Sequence, residues 1–410
     1  MCGTNGMTIP DAFESRPTSP KLVQGVDDDG RARLRVAHII HSLQPGGAEA
    51  LLVDLGVVAP DLGLELLVVS IMRASDSQYT RLLHELGIEV VDLGRRSRWD
   101  PRALTLAVKI LRRWRPDVIH SHLKHADLVG AGAARWLHVP LVSTLHVIEE
   151  GRLGLLGRVK RVAAALARIS TAARTIAVSE AQRRWYLKTF LVRPETVITV
   201  HNGVAAAPAL SETERVSIRT SLGAGPDTVL CLNVGIMRPG KGQKDLLLAL
   251  TMLPTELPLR VVLVGDGPLR PALEAQAAQA GLLPNRVQFA GFRNDVSALL
   301  TAGDLVVSAS HSEALPTALL QALAAGRPSV ATDVGGVSEV VTRQEARLVR
   351  VADPEALAEA LSALTFDAAE RLRLAAHAKA RFKTEFDVTL WARRLLELYL
   401  DVVQRHRQAG

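Results

Sequence analysis

Arg238 and Lys241 stand three residues apart in Asn233-Val234-Gly235-Ile236-Met237-Arg238-Pro239-Gly240-Lys241-Gly242-Gln243-Lys244-Asp245, between an apolar run and a segment of helical period. Two fixed cations beside a helix N-terminus, whose unsatisfied N–H groups already favour negative charge, make a site for a diphosphate. The plainer alternative is a pair of solvated cations in a turn, but strand-end loops that concentrate glycine and charge are where binding residues collect. A second cluster, Ser308-Ala309-Ser310-His311-Ser312-Glu313-Ala314-Leu315-Pro316, leads into the apolar stretch Thr317 to Ala325. Glu313 lies just beyond a strand and Gln321 eight residues on, about two helical turns, a spacing that lets both face one cleft. Glu313 can accept hydrogen bonds from sugar hydroxyls; a glutamate before a helix also serves as a partner of the helix dipole, and spacing alone leaves both readings open. Near the start, His41-Ser42-Leu43-Gln44-Pro45-Gly46-Gly47-Ala48-Glu49 places paired glycines where a helix begins. They allow backbone N–H groups to approach an anion, and a tight turn needing positive φ accounts for them equally well.

Two other chemistries are disfavoured by the residues present. His120-Ser121-His122-Leu123-Lys124-His125-Ala126-Asp127 superficially resembles a zinc-hydrolase motif, since His120 and His122 project from one strand face. Lys124 stands where a carboxylate ligand is expected and would repel zinc, so these histidines are expected to line the cleft or cap the sheet. No G-x-G-x-x-G follows the first strand, which argues against a nicotinamide or flavin cofactor.

The elements that must position these residues read as βα units. Strands are expected at Val36 to Ile40, Glu65 to Ser70, Glu89 to Leu93, Val118 to His122, Leu141 to His146, Thr175 to Ser179 and Ile198 to Val200. After a loop around Ala205 to Leu210 the series restarts, with strands at Val229 to Val234, Leu259 to Val264, Val287 to Ala290, Leu305 to Ser308 and Ser329 to Thr332. Helices are expected at Pro101 to Trp114, Ala126 to Leu137, Leu153 to Thr171, Pro354 to Thr365, Asp367 to Phe386 and Val388 to Arg405. The economical architecture is α/β, two doubly wound Rossmann-like sheets facing each other, with ligands at the carboxyl ends of the strands. Residues 1–33 read as a disordered leader, 34–205 and 206–386 as the two domains, and 387–410 as a helix packing back on the first.

A chain of 410 residues, 48% hydrophobic and 22% charged, is ordinary for a globular protein of two domains. Cys2 and Cys231 cannot make a disulfide framework, which fits a reducing, cytoplasmic setting. The net charge of +7 is uneven: residues 31–205 carry 25 Lys and Arg against 15 Asp and Glu, whereas residues 206–410 carry 22 of each. Residues 152–193 hold ten basic side chains and one acid, Glu180, with Leu153, Leu155, Leu156, Val159 and Val162 interleaved. Such a stretch suits an anionic lipid surface as a peripheral contact, or else it is a buried helix with a solvated basic face. No nucleic-acid partner is expected.

Taken together, Gly46-Gly47-Ala48-Glu49, the Arg238 and Lys241 pair, Leu263-Val264-Gly265-Asp266-Gly267-Pro268, Glu313 to Pro328 and Gly335-Gly336-Val337-Ser338-Glu339 resemble the GT-B fold glycosyltransferases of family 4, from about Val36 to the C-terminal helix. The resemblance implies a retaining transfer from a nucleotide sugar without bound metal or separate cofactor, the donor held by the C-terminal domain and the acceptor, a glycan or a lipid-linked precursor of cell-envelope polysaccharide, by the N-terminal one. It implies that Arg238 and Lys241 hold the donor diphosphate, that Glu313 meets the donor sugar hydroxyls, that Gly47 closes on the phosphates and that His146 stands beside the sugar. Gly46, Gly235, Leu315, Pro316, Gln321, Phe292 and Arg293 complete the expected donor site. Two departures are visible. The family's E-x7-E carries Gln321 in place of its second glutamate, and the segment after G-G-x-x-E is shortened to Thr342-Arg343-Gln344-Glu345. A non-catalytic nucleotide-sugar-binding relative and a sugar-nucleotide epimerase on the same fold are the alternatives.

Overall fold

The computed structural model describes residues 33–44, 46–73, 77–95, 100, 102–148 and 154–409, so the expected leader, save Arg33, and Arg152 and Leu153 of the basic stretch lie outside the described residues. The first half contains β1 (Leu34–Ile40), α1 (Gly47–Val58), β2 (Leu64–Met72), α2 (Gln78–Glu85), β3 (Glu89–Arg95), α3 (Arg102–Trp114), β4 (Val118–His122), α4 (Leu123–Leu137), β5 (Leu141–Leu145), α5 (Leu155–Thr171), β6 (Ala172–Ala177), α6 (Glu180–Thr189) and β7 (Val197–Thr199). The second contains α7 (Glu212–Ser221), β8 (Val229–Val234), α8 (Gln243–Thr251), β9 (Leu259–Val264), α9 (Arg270–Gln279), β10 (Val287–Gly291), α10 (Val296–Ala302), β11 (Leu305–Ser308), α11 (Thr317–Ala324), β12 (Ser329–Thr332), α12 (Val337–Val340), β13 (Ala346–Val349), α13 (Pro354–Phe366), α14 (Ala368–Arg381) and α15 (Val388–Ala409).

All strands pair in parallel, in the orders β3-β2-β1-β4-β5-β6-β7 and β10-β9-β8-β11-β12-β13. Both faces of such a sheet are covered by helices, which is why β8, VLCLNV, and β9, LRVVLV, are nearly unbroken apolar runs. Each order reverses once, between β1 and β4 and between β8 and β11, and that is where a doubly wound sheet opens a crevice for a ligand.

Three differences from the sequence expectation bear on the domain edges and the strand ends. The shortened segment Thr342 to Glu345 is a tight turn in which the Glu345 carboxylate accepts from the Thr342 N–H and hydroxyl, both at 2.8 Å, and it delivers an extra edge strand, β13. The helix expected through Phe386 ends at Arg381 and widens into a π turn, Phe382–Phe386, in which both phenylalanines are buried. His146 lies just beyond β5, which ends at Leu145.

The polypeptide passes from the first sheet to the second near Val204 and returns at Asp387, and the two crossings hold each other. Val204 N–H donates to the Phe386 carbonyl and Val388 N–H to the Val204 carbonyl, each at 3.0 Å. Gly203 is needed there because a Cβ would stand 2.7 Å from both the Asp387 carbonyl oxygen and the Trp391 Cβ. From the return point α15 runs back over the first domain and packs on α1, burying Trp391, Ala392, Leu395, Leu398, Tyr399 and Val402.

Candidate active site

A cleft of about 720 Å³ opens between the strand ends of the two sheets. Its second-domain wall starts in the loop from β8 to α8. Gly242 ends that loop with φ of 66°, and any side chain there would run into the Ala309 carbonyl, so glycine is required where the loop meets β11. Neighbouring loops lace the turn in place: Met237 N–H donates to the Asp266 carbonyl and His311 N–H to the Gly240 carbonyl, both at 2.8 Å. The His311 ring also meets the Asp245 carboxylate at 2.6 Å. On this rigid base Lys241 Nζ donates to Glu313 Oε1 at 2.7 Å, and Ser310 Oγ donates to the same oxygen at 2.6 Å. Residues from separated motifs thus form one charged cluster, beside which Arg238 projects exposed.

All twelve residues singled out from the sequence line this cleft: Arg238, Lys241, His146 and Glu313, and with them Gly46, Gly47, Gly235, Leu315, Pro316, Gln321, Phe292 and Arg293. The Arg293 guanidinium is already engaged by both carboxylate oxygens of Asp295, at 2.8 and 2.5 Å, so it offers the cleft a fixed planar edge. The positive-φ explanation of the paired glycines does not hold, because Gly46 has φ of −172° and Gly47 is the first residue of α1. Close approach explains them instead. A Cβ on Gly46 would collide with the Glu49 carboxylate, and one on Gly47 would stand 3.0 Å from Thr317 Oγ1 across the cleft.

Sequence reasoning missed Glu49 as a cleft residue. It is buried in the first turn of α1, and burial pushes its carboxyl up to about 7, against a smaller opposing effect of its own backbone N–H. It also missed His38, which the apolar run of β1 disguises. His120 and His122 are corrected as well: they neither line the cleft nor cap the sheet, but are buried beneath its floor. His38 Nδ1 lies 2.9 Å from His122 Nε2, and His122 Nδ1 lies 3.0 Å from His146 Nε2, at the cleft wall. A second line crosses them, with His120 Nδ1 2.6 Å from the Tyr399 hydroxyl and His120 Nε2 2.7 Å from Thr144 Oγ1. Burial lowers His38 to about 3 and His146 to about 4, and holds His120 and His122 well below the ordinary range, so all four rings are neutral at pH 7. Ring nitrogens of His38, His120 and His122 fall within 4.8 Å of one another, the one such potential metal-binding group among the described residues. Hydrogen bonds already engage nitrogens on all three rings.

Two facing doubly wound sheets with a polar cleft at both switch points define a GT-B transferase fold. Residues 45–207 match the profile described as Glycosyltransferase Family 4, and residues 228–367 that of Glycosyl transferases group 1. The chain is 30% identical over 309 residues to the glycogen synthase of Mycobacterium tuberculosis, covering 72% of each chain. It is also 30% identical over 236 residues to an uncharacterised glycosyltransferase of Methanocaldococcus jannaschii, covering 56% of this chain and 60% of that one. The crystal structure of Anabaena HepE in complex with UDP-glucose superimposes with a TM-score of 0.79 at 25% identity, over 90% of this chain and 100% of that one. The chain belongs to the group 1, family 4 glycosyltransferases and is an enzyme that moves a sugar from a nucleotide-sugar donor.

Proposed function

We propose that this glycosyltransferase works with retention of configuration and without a metal ion or separate cofactor, and that its acceptor is a hydroxyl of a glycan or of a lipid-linked precursor of cell-envelope polysaccharide. The observation that carries the reading is the meeting of Lys241, Glu313 and Arg238 on one wall of the cleft with His146 on the other. Residues 206–386 hold the donor and residues 34–205 the acceptor. As the glycosidic bond to the diphosphate lengthens, the acceptor hydroxyl attacks from the same face and its proton passes to the leaving phosphate. Charge developing on that phosphate is met by Lys241, held by Glu313 before the reaction, by the N-terminus of α8, and by Arg238, which projects beside them. Glu313, which orients Lys241, accepts from hydroxyls of the sugar, and Gln321 on α11 meets the ribose. HepE binding UDP-glucose makes that donor the first to try. An exposed apolar face on α5 supports peripheral attachment to the inner face of the plasma membrane.

The test is nucleotide release and product formation with a panel of UDP-, GDP- and ADP-sugars, with the anomeric configuration of the product read by NMR. Arg238→Ala and Lys241→Ala each slow transfer by roughly 10²- to 10³-fold, the effect of removing one donor to a developing anion. Near-normal rates in both variants, an inverted product, or loss of activity in EDTA would each overturn the corresponding part of the reading. Nucleoside diphosphate binding without transfer to any acceptor would leave a binding protein, and an altered free sugar nucleotide an epimerase.

A further inference from the structure

The three rings His38, His122 and His146 form a linear chain in which only two proton arrangements keep both hydrogen bonds. A neutral imidazole has one N–H and one lone pair, so any mixed arrangement sets two protons or two lone pairs face to face at a link. Either every proton is on Nδ1, so that His38 donates to His122 and His122 to His146, or every proton is on Nε2 and the direction reverses. The two states differ at their ends. His38 Nε2 is fully buried and has no hydrogen-bond partner among the described residues, beside a small cavity of about 10 Å³ lined mostly by apolar side chains such as Leu51, Leu55 and Ile176. With protons on Nε2, that buried end is an orphaned N–H; with protons on Nδ1 it is an orphaned acceptor. A buried N–H without a partner is rarer than a buried acceptor without one, which favours the Nδ1 arrangement. His120, pinned between Tyr399 and Thr144, lies against both inner rings, with centroids 5.0 Å from His38 and 4.3 Å from His122, and keeps them from turning.

We infer that His38 and His122 are positioning residues that fix His146 as its Nδ1–H tautomer, so that His146 acts as a hydrogen-bond donor to an oxygen of the bound donor sugar. The last clause rests on the function proposed above; the tautomer does not. His146 Nδ1 has no protein partner among the described residues, on a ring that lines the cleft. Because each ring transmits the polarity of the next, a change at His38, buried in β1, reaches the sugar through two hydrogen bonds.

Two-bond ¹H–¹⁵N correlation spectra of the ¹⁵N-histidine-labelled protein read the tautomer directly, with His146 assigned by its loss in His146→Gln. The expected spectrum has His146 protonated on Nδ1 in the wild type and no longer fixed in that form in His122→Leu. In transfer assays with the donor that the panel identifies, His38→Leu lowers kcat by roughly three- to tenfold, the scale of one neutral hydrogen bond. Its affinity for the nucleoside diphosphate, which lacks the sugar, is unchanged. His38→Asn, which keeps a polar nitrogen at the Nδ1 position, restores most of the rate. A wild-type His146 protonated on Nε2, a His38→Asn enzyme no faster than His38→Leu, or stoichiometric zinc on the three inner histidines by plasma mass spectrometry would overturn the assignment. Should no nucleotide sugar bind or turn over, the proposed function fails while the spectra still decide the tautomer.

Discussion

Gln321 lines the cleft where the family pattern carries a glutamate. A carboxylate offers two acceptor oxygens to two ribose hydroxyls, whereas the amide offers one acceptor and one donor group, so both hydroxyls remain pairable with weaker bonds. Gln321→Glu is expected to tighten nucleoside diphosphate binding by on the order of 1 kcal/mol, and Gln321→Ala to weaken it by a similar amount, read by isothermal titration. If both bind as the wild type does, Gln321 is not at the ribose. Glu49 makes a prediction about pH. Its carboxyl titrates near 7 in the folded chain against 4.5 as its ordinary value, so the folded state binds the proton more tightly. The associated stability is complete below pH 4.5 and is lost as pH rises through 7. Asp54, pushed by burial from 3.8 to about 6, acts in the same direction over a lower window. Glu49→Gln should therefore melt like the wild type at pH 4 and be more stable at pH 8 by about 1 to 3 kcal/mol; equal melting temperatures at pH 8 would contradict it. Residues of this kind mark the limit of what sequence shows. Arg238, Lys241 and Glu313 are legible because loops at strand ends gather charge and glycine. Glu49 and His38 are not, since the burial of Glu49 depends on the approach of other elements, and His38 sits in LRVAHII, which reads only as core.

Most strands are legible to within a residue or two because an apolar run between turn signals has few alternatives, and the central β4, β8 and β9 match end to end. β13 is not, because Ala346-Arg347-Leu348-Val349 is short, interrupted by Arg347 and at an edge. For α5 the basic count misled in one respect. Arg168 is turned inward against Asp127, a carboxylate that also accepts from Ser121 and Ser143 at 2.7 and 2.6 Å, so it belongs to the interior and not to any anionic surface. The helix buries Ala164 and Ala165 and leaves Val159, Val162, Leu166 and Ile169 exposed at 57, 48, 59 and 41%. These recur at three and four residues and so share one face, flanked by Arg158, Lys160 and Arg161; the side chains of Leu155 and Leu156 lie outside the described residues. No helix among the described residues is long and apolar enough to cross a membrane. An apolar stripe beside cations is the pattern of a helix that lies on a bilayer, as proposed above. Flotation with phosphatidylglycerol vesicles at low salt should recover the wild type with the lipid, and Val162→Asp with Leu166→Asp should leave the protein behind. Failure of the wild type to float would remove the membrane contact from the proposal.

Across the whole molecule one carboxylate joins the two domains at a point away from the chain crossings. Glu339, in the second domain, accepts from Glu180 N–H at 2.7 Å and Ala181 N–H at 2.8 Å at the start of α6, and lies 2.8 Å from His201 Nε2. A carboxylate at a helix N-terminus makes charge-assisted bonds, so releasing it loosens the relation between the domains. Glu339→Ala is expected to show a larger radius of gyration by small-angle scattering and a higher donor KM, with little change in melting temperature for either domain; an unchanged scattering profile would show that the carboxylate does not hold the domains together. The return of α15 has a consequence of another kind. His120 of the first domain is completed by the Tyr399 hydroxyl, 279 residues later in the chain, and α1 is covered by the same helix. A ribosome working at about 5 to 20 residues per second finishes the first sheet well before it makes α15. For that interval the emerging domain must carry an uncovered apolar surface and an unmet histidine. It is then a client for whatever holds nascent chains, and its last interior surface is closed only when synthesis is nearly over.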